Sequence, residues 1–217
     1  LQQEGALVML SDAHPRRTAE SAEKLGVPGV VCDVTQQEQV DALFHRTLEL
    51  YGSVDVLVNN AGLGGTRDLV DMTDEAWHKV LDVTLTGTMR CMRAALRHMT
   101  SRGRGVIVNN ASVLGWRAQK GQSHYAAAKA GVMALTRCAA VEAAERNIRI
   151  NAVAPSLAMH AFLHKVTTPG LLKELESREA FGRAATPEEI AKVILFLASD
   201  LSSYMTGEVI SVSSQRA

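Results

Sequence analysis

Three side chains near the middle of the chain have the types and spacing of a proton-transfer centre. Tyr125 and Lys129 are four residues apart, so on a helix they share one face a turn from each other. A free tyrosine, with a pKa of about 10, is a poor base at neutral pH. An ammonium group one turn away favours the phenolate and lowers that pKa. Ser112 closes Asn109-Asn110-Ala111-Ser112, just beyond an apolar run, and can hold a substrate oxygen beside the phenol. Together they would move a proton between a carbinol and solvent while a hydride leaves or arrives elsewhere. The Tyr–Lys pair alone is thin evidence. Three tyrosines and seven lysines among 217 residues give about 0.1 chance matches, and a solvated helix pair has the same spacing. The serine at the end of a strand adds the weight.

A second group, Asn59-Asn60-Ala61-Gly62, follows the apolar run Val54-Asp55-Val56-Leu57-Val58. Small residues there let the backbone come close to a ligand, and glycine permits unusual dihedrals. An ordinary strand-to-loop turn favours the same residues. Asp12 and Asp33 each end an apolar run. They suit a ribose hydroxyl and an adenine amine, although a lone Asp in such a place is more often a helix N-cap.

These residues need a scaffold, and the pattern supplies one. Short apolar runs at 6–10, 30–32, 54–58, 106–108, 148–153 and 208–212 read as strands buried on both faces. Between them lie helical stretches. Residues 36–51 place Val40, Leu43, Phe44, Thr47 and Leu48 on one face. Thr73 is a candidate N-cap for a helix running towards Arg102 with a break near Gly87. Residues 123–146 are rich in alanine, and Thr186-Pro187 opens a helix to Ser199. Strand alternating with helix predicts a single α/β domain over 1–217, a doubly wound, Rossmann-like parallel sheet with right-handed crossovers. Ligands sit beyond the carboxyl ends of such strands.

Composition narrows the class. Hydrophobic residues make up 47% and charged residues 21%, which argues against disorder. Lys+Arg and Asp+Glu both total 23, so nothing pulls the chain towards nucleic acid. No apolar run reaches the length of a membrane span. Cys32, Cys91 and Cys138, set in apolar runs, read as reduced core residues of a cytoplasmic protein. No metal site is expected.

In order and spacing these motifs resemble the short-chain dehydrogenase/reductase family over essentially the whole chain. Asn59-Asn60-Ala61-Gly62 resembles the motif that stabilises the family's central sheet and touches its cofactor. Ser112, Tyr125 and Lys129 match the catalytic serine and Tyr-x-x-x-Lys pair. Asn151-Ala152-Val153-Ala154-Pro155 matches the segment beside the nicotinamide. Phe181-Gly182-Arg183, Pro187-Glu188-Glu189 and Phe196-Leu197-Ala198-Ser199-Asp200 through Thr206-Gly207 match the C-terminal signature. The resemblance implies that Tyr125 is the general acid/base, that Lys129 lowers its pKa and binds the nicotinamide ribose, and that Ser112 orients the substrate oxygen. It places Asp12, Asp33, Val34, Asn60, Ala61, Gly62, Pro155, Ser156 and Leu157 on the cofactor. An acid at Asp12 implies NAD, with NADP open because Arg16 and Arg17 follow. The Met89–Met99 and Ala126–Ala144 faces imply a homotetramer, although packing within one subunit explains them equally.

The chain also departs from the family pattern. It opens where the family's first helix would end, so the first, central strand and the glycine-rich turn are expected to be missing from this sequence, to belong to the native protein, and to leave a gap in the sheet. The asparagine of the family's proton relay is replaced by Thr84. Pro-Gly becomes Pro155-Ser156, the carboxamide threonine becomes His160, and the C-terminal Gly-Gly is replaced within Ser213-Ser214-Gln215-Arg216. Residues 157–186 have the place of a substrate lid, with Phe162, Leu163, Leu171, Leu172 and Phe181 among Lys165, Lys173 and Arg178. That mixture suits a hydrophobic substrate with an anionic handle, such as an acyl-CoA, or an amphipathic surface helix. The stretch from Ser112 to Gln119 and the C-terminal end resemble a branch of the family that acts on a bicyclic CoA thioester in bacterial steroid degradation. Trp116, Gln119 and His160 would then border the substrate. A 3-oxoacyl-thioester reductase and a non-catalytic nucleotide-binding scaffold are the alternatives.

Overall fold

The structure, a computed structural model, describes residues 1–159 and 168–214. Six strands alternate with helices along the chain. The strands are β1 (Leu10–Asp12), β2 (Gly29–Val31), β3 (Val56–Asn59), β4 (Gly105–Asn110), β5 (Ile148–Pro155) and β6 (Val209–Val212). All pairings are parallel, and they form two ladders, β1-β2 and β3-β4-β5-β6. No pairing joins β1 to β3 among the described residues, which is the gap the sequence led us to expect. It also explains why the apolar run 6–10 is strand only at its end. β1 has a single partner, β2, and the two share three residues in register.

The helices are α1 (Pro15–Leu25), α2 (Gln37–Tyr51), α3 (Asp74–Leu81), α4 (Gly87–Arg102), α5 (Ser123–Ala144), α6 (Pro169–Arg178) and α7 (Pro187–Ala198). Local chemistry fixes their starts. Thr73 Oγ1 accepts the Ala76 N–H at 3.2 Å, capping α3. Thr186 and Glu189 form a reciprocal capping box on α7, with Pro187 in its first turn. The expected break near Gly87 is a π-helical turn, Asp82–Thr86, inserted between α3 and α4. Such turns often mark functional positions.

Both faces of the larger ladder are covered. On β4, Ile107 faces a core built with α2, α4 and α5, including Val40, Phe44, Met92 and Ala95. Its neighbour Val108 faces the opposite core with Ile190 and Leu197 of α7. Adjacent residues of one strand thus serve opposite layers, as the pleat requires. Close approach is built into α5. A Cβ on Gly131 would come 2.7 Å from Leu85, and one on Gly115 would come 2.6 Å from Met133. Cys32 and Cys91 are core residues as expected, and burial pushes their thiols up to about 11 and about 12. Cys138 is not. It lies on the exposed face of α5, between the buried Thr136 and Ala139.

Candidate active site

The carboxyl ends of β3 and β4 bring the proposed proton-transfer residues together. Ser112 follows β4 in extended conformation and caps the short 3-10 turn Val113–Gly115, its Oγ accepting the Leu114 N–H at 3.2 Å. Tyr125 stands in the first turn of α5 and is hydrogen-bonded to Ser112. Lys129, one turn on, is 3% exposed. Its Nζ lies over the Tyr125 ring, 5.6 Å from the centroid, and donates to the Asn110 carbonyl at 2.5 Å. That is near enough for a cation–π attraction.

The electrostatics differ from the simple expectation for such a pair. Burial pushes the Tyr125 phenol above its ordinary pKa, and the Ser112 hydrogen bond only partly opposes it. Burial pulls Lys129 down from 10.5 to about 8. The ammonium sits over the ring face, and burial of the phenol decides the direction of its shift. Tyr125 is therefore a protonated acid at neutral pH in this pocket, with a cation still beside it.

A polar network fixes the floor. Asn59 Nδ2 donates to Asn109 Oδ1 at 2.8 Å, and Asn109 Nδ2 donates to Thr136 Oγ1 of α5 at 2.9 Å. These bonds join β3, β4 and α5 inside the core, where an unpaired amide would be costly. Asn110 Nδ2 donates to Asn60 Oδ1 at 2.7 Å. Gly62 has no positive φ. The unusual dihedral expected of it is absent, and its relevance is proximity, since a Cβ there would lie 3.5 Å from Lys129 Nζ. Ala61, beside it, is exposed.

Thr84 sits inside the π turn and is fully buried. Its Oγ1 accepts the Leu63 N–H at 3.0 Å and donates to the Leu63 carbonyl at 3.3 Å. Its own carbonyl accepts the Thr88 hydroxyl at 2.8 Å. The hydroxyl standing where the family's relay asparagine would be is thus spent on holding the loop after β3.

The expected cofactor residues lie along the strand ends. Asp12 closes β1, with its Oδ1 accepting from Arg17 Nη2 at 2.8 Å and from the His14 N–H at 2.7 Å. Burial raises its pKa, but the Arg17 and His14 bonds and Arg17's charge outweigh that and hold the carboxyl below its usual range. Arg16 instead pairs with Glu20. Asp33 Oδ1 accepts from the Thr35 N–H at 2.9 Å and the Thr35 hydroxyl at 2.8 Å. Neither aspartate is a helix N-cap; those positions fall to His14 and Gln36. Val34 packs into the core beside Gly87, where a Cβ would meet it at 2.5 Å. Its carbonyl accepts from Arg90 Nη1 at 3.4 Å. Pro155 ends β5, opposite Val212 of β6. The Ser156 hydroxyl turns to Glu179 at 3.1 Å, and the Leu157 carbonyl accepts the Ala185 N–H at 2.8 Å. Trp116 is 51% exposed just past the 3-10 turn, and Gln119, half-buried, accepts the Gln122 N–H at 3.2 Å. His160, Phe162, Leu163 and Lys165 lie outside the described residues.

Two participants escaped the sequence reading. The Asn110 carbonyl holds Lys129, and a backbone acceptor has no side-chain signature. His124, next to Tyr125, is 3% exposed with Nδ1 unpartnered; its proximity to Tyr125 was the available signal. Burial, then the charge of Arg67, lowers its pKa.

The pocket's chemistry fits a nicotinamide cofactor. Lys129 presents a buried ammonium with three N–H groups and one described acceptor, and Asn110 Oδ1 is buried without a partner. Both suit the hydroxyls and amide of such a group. Parallel sheet, strand-end site and Ser–Tyr–Lys set define a nicotinamide-dependent oxidoreductase, and the chain belongs to the short-chain dehydrogenase/reductase family. A family model described as Enoyl-(Acyl carrier protein) reductase matches residues 1–214. Among its relatives is the (5R,7aS)-5-hydroxy-7a-methyl-1-oxo-2,3,5,6,7,7a-hexahydro-1H-indene-carboxyl-CoA reductase of Mycobacterium tuberculosis, 61% identical over 98% of this chain and 84% of its own length. The 3-oxoacyl-[acyl-carrier-protein] reductase FabG of Thermotoga maritima is 42% identical over 97% of this chain and 87% of its own. The crystal structure of a short chain dehydrogenase from Mycobacterium smegmatis superposes with a TM-score of 0.86 at 59% identity, covering 99% of this chain and 83% of that one.

Proposed function

We propose that this chain is one catalytic domain, acting in the cytoplasm, that interconverts a ring alcohol and a ring ketone on a bicyclic, steroid-derived CoA thioester with NAD(H). The observation that carries the reading is the Ser112–Tyr125–Lys129 set at the carboxyl end of β4, with Ser112 and Lys129 buried and Tyr125 partly so, in a chain 61% identical to a reductase of such a thioester. Nicotinamide, when bound, supplies or accepts the hydride. Ser112 orients the substrate oxygen, and Tyr125, protonated, donates its proton to that oxygen as a ketone is reduced. Lys129 keeps a positive charge under the ring and presents its unused N–H groups to the ribose. Thr84 is a positioning residue, because its hydroxyl is committed to Leu63.

The preference for NAD rests on Asp12, whose ionised carboxyl leaves Oδ2 for a ribose 2′-hydroxyl and repels a 2′-phosphate. Arg17, bonded to the same carboxyl, moderates that repulsion. The substrate reading draws on half-exposed Trp116 beside the Ser112 turn and on exposed Lys173 of α6, an apolar contact and a cation for the two ends of an acyl-CoA. A homotetramer would use the groove of about 510 Å³ between α4 and α5, where Met89, Leu96 and Leu135 alternate with Arg93, Arg97 and Glu142. None of the site residues lines that groove. Among the described residues no helix is long and apolar enough to cross a membrane.

The test is a turnover panel with both reduced cofactors. The reading expects NADH-dependent reduction of the bicyclic CoA thioester with kcat/KM at least tenfold above that for linear 3-oxoacyl thioesters. Preference for linear substrates with NADPH would instead assign the 3-oxoacyl-thioester reductase activity of the Thermotoga relative.

A further inference from the structure

Two of the departures from the family pattern, Ser156 in place of glycine after Pro155 and Ser214 in place of a C-terminal glycine, meet at one buried carboxyl group. Glu179 directly follows α6 and is 3% exposed. Its Oε2 accepts the Ser214 hydroxyl at 2.8 Å and the Ser156 hydroxyl at 3.1 Å. Its Oε1 lies 3.4 Å from the Leu157 N–H. The next residue reinforces the junction, with the Ala180 N–H donating to the Ser214 carbonyl at 2.6 Å. Three segments distant in sequence, the end of β5, the exit of α6 and the chain after β6, are thus tied by one side chain. All of its described donors are neutral.

Burying a carboxyl group among neutral donors costs stability relative to an apolar side chain of similar volume. A residue kept for packing alone would be better as leucine. What the carboxyl provides is direction. Ser156 and Leu157 leave β5 with the backbone already pinned by the Ser156 N–H on Val212 at 3.2 Å and by the Ala185 N–H on the Leu157 carbonyl at 2.8 Å. Glu179 fixes the remaining freedom, the rotation of the peptide between those two residues. We infer that Glu179 is a positioning residue, which with Ser156 and Ser214 sets the backbone at the end of β5 where the nicotinamide would lie. The inference rests on the proposed placement of the cofactor at Pro155, Ser156 and Leu157.

The experiment compares wild type with Glu179→Leu, Glu179→Gln, Ser156→Ala and the Glu179→Leu/Ser156→Ala double variant. It reads NADH affinity by fluorescence without substrate, KM and kcat, and the thermal midpoint. Expected are a midpoint for Glu179→Leu at or above wild type, NADH affinity weakened at least fivefold, and a similar rise in the KM for NADH. Glu179→Gln, which keeps one acceptor, recovers most of that loss. The double variant is no weaker than Glu179→Leu, because both changes break one network. Unchanged NADH affinity in Glu179→Leu overturns the inference, as does a lowered midpoint with kcat and KM affected alike and no recovery in the Gln variant. Should Glu179→Leu fail to fold, Ser156→Ala and Glu179→Gln decide it by the same affinity reading. Wild type that binds no NADH would refute the proposed function itself, a result distinct from both.

Discussion

Lys129→Met should make the protein more robust at neutral pH while removing its activity. Burial brings the Lys129 ammonium from 10.5 to about 8, and that shift corresponds to about 3 kcal/mol of destabilisation by the charged form. In the unfolded chain Lys129 keeps its ordinary pKa, so between pH 8 and 10.5 the unfolded state binds more protons than the folded one. The site's penalty is therefore complete below pH 8, fades as pH rises, and is gone above 10.5. Methionine carries no such penalty at any pH. Its substitution forfeits the bond to the Asn110 carbonyl, worth roughly 1–2 kcal/mol, leaving a net gain on the order of 1 kcal/mol at pH 7. The pH trend is the cleaner reading because the lost bond cancels from it. Urea unfolding, followed by Trp77 and Trp116 fluorescence at matched protein concentration, would measure both proteins from pH 7 to 11. Wild type should gain about 3 kcal/mol on the variant across that range. A flat difference, or one that moves the other way, would refute the claim that Lys129 is a strained, charged, buried group.

Two further consequences concern the loop after β3 and the cofactor. Thr84→Val keeps the shape but strands the Leu63 N–H, and should cost about 1–3 kcal/mol in denaturant unfolding, with kcat reduced because the loop beside Gly62 loosens. Asp12→Ser leaves Arg17 without its carboxylate. It should raise kcat/KM with NADPH relative to NADH about tenfold or more, since opposed like charges cost several kcal/mol.

Much of the scaffold was legible because it depends on short-range chemistry. The parallel order, the Thr73 and Thr186 caps, and the buried face of α2 follow from periodicity and hydrogen-bonding side chains. The length of β1 was not legible, because it depends on how many residues a neighbouring strand offers. Cys138 was misplaced because an apolar neighbourhood does not say which side of a helix a residue takes. At the site, residue types and spacing brought Ser112, Tyr125 and Lys129 together correctly. They could not give the sign of the Tyr125 shift, which depends on burial by distant segments. Nor could they show that Thr84 would spend its hydroxyl on Leu63, or that Ser156 and Ser214 would converge on Glu179. Those are meetings between parts of the chain far apart in sequence.

The central claim is that the Tyr125 phenol transfers the proton while the other residues hold the geometry. Pre-steady-state turnover of wild type and Tyr125→Phe, with NADH affinity measured alongside, tests it directly. The account predicts a fall in the hydride-transfer rate of about 10²–10⁴-fold with NADH affinity within threefold of wild type. A Phe variant that turns over at the wild-type rate would contradict it.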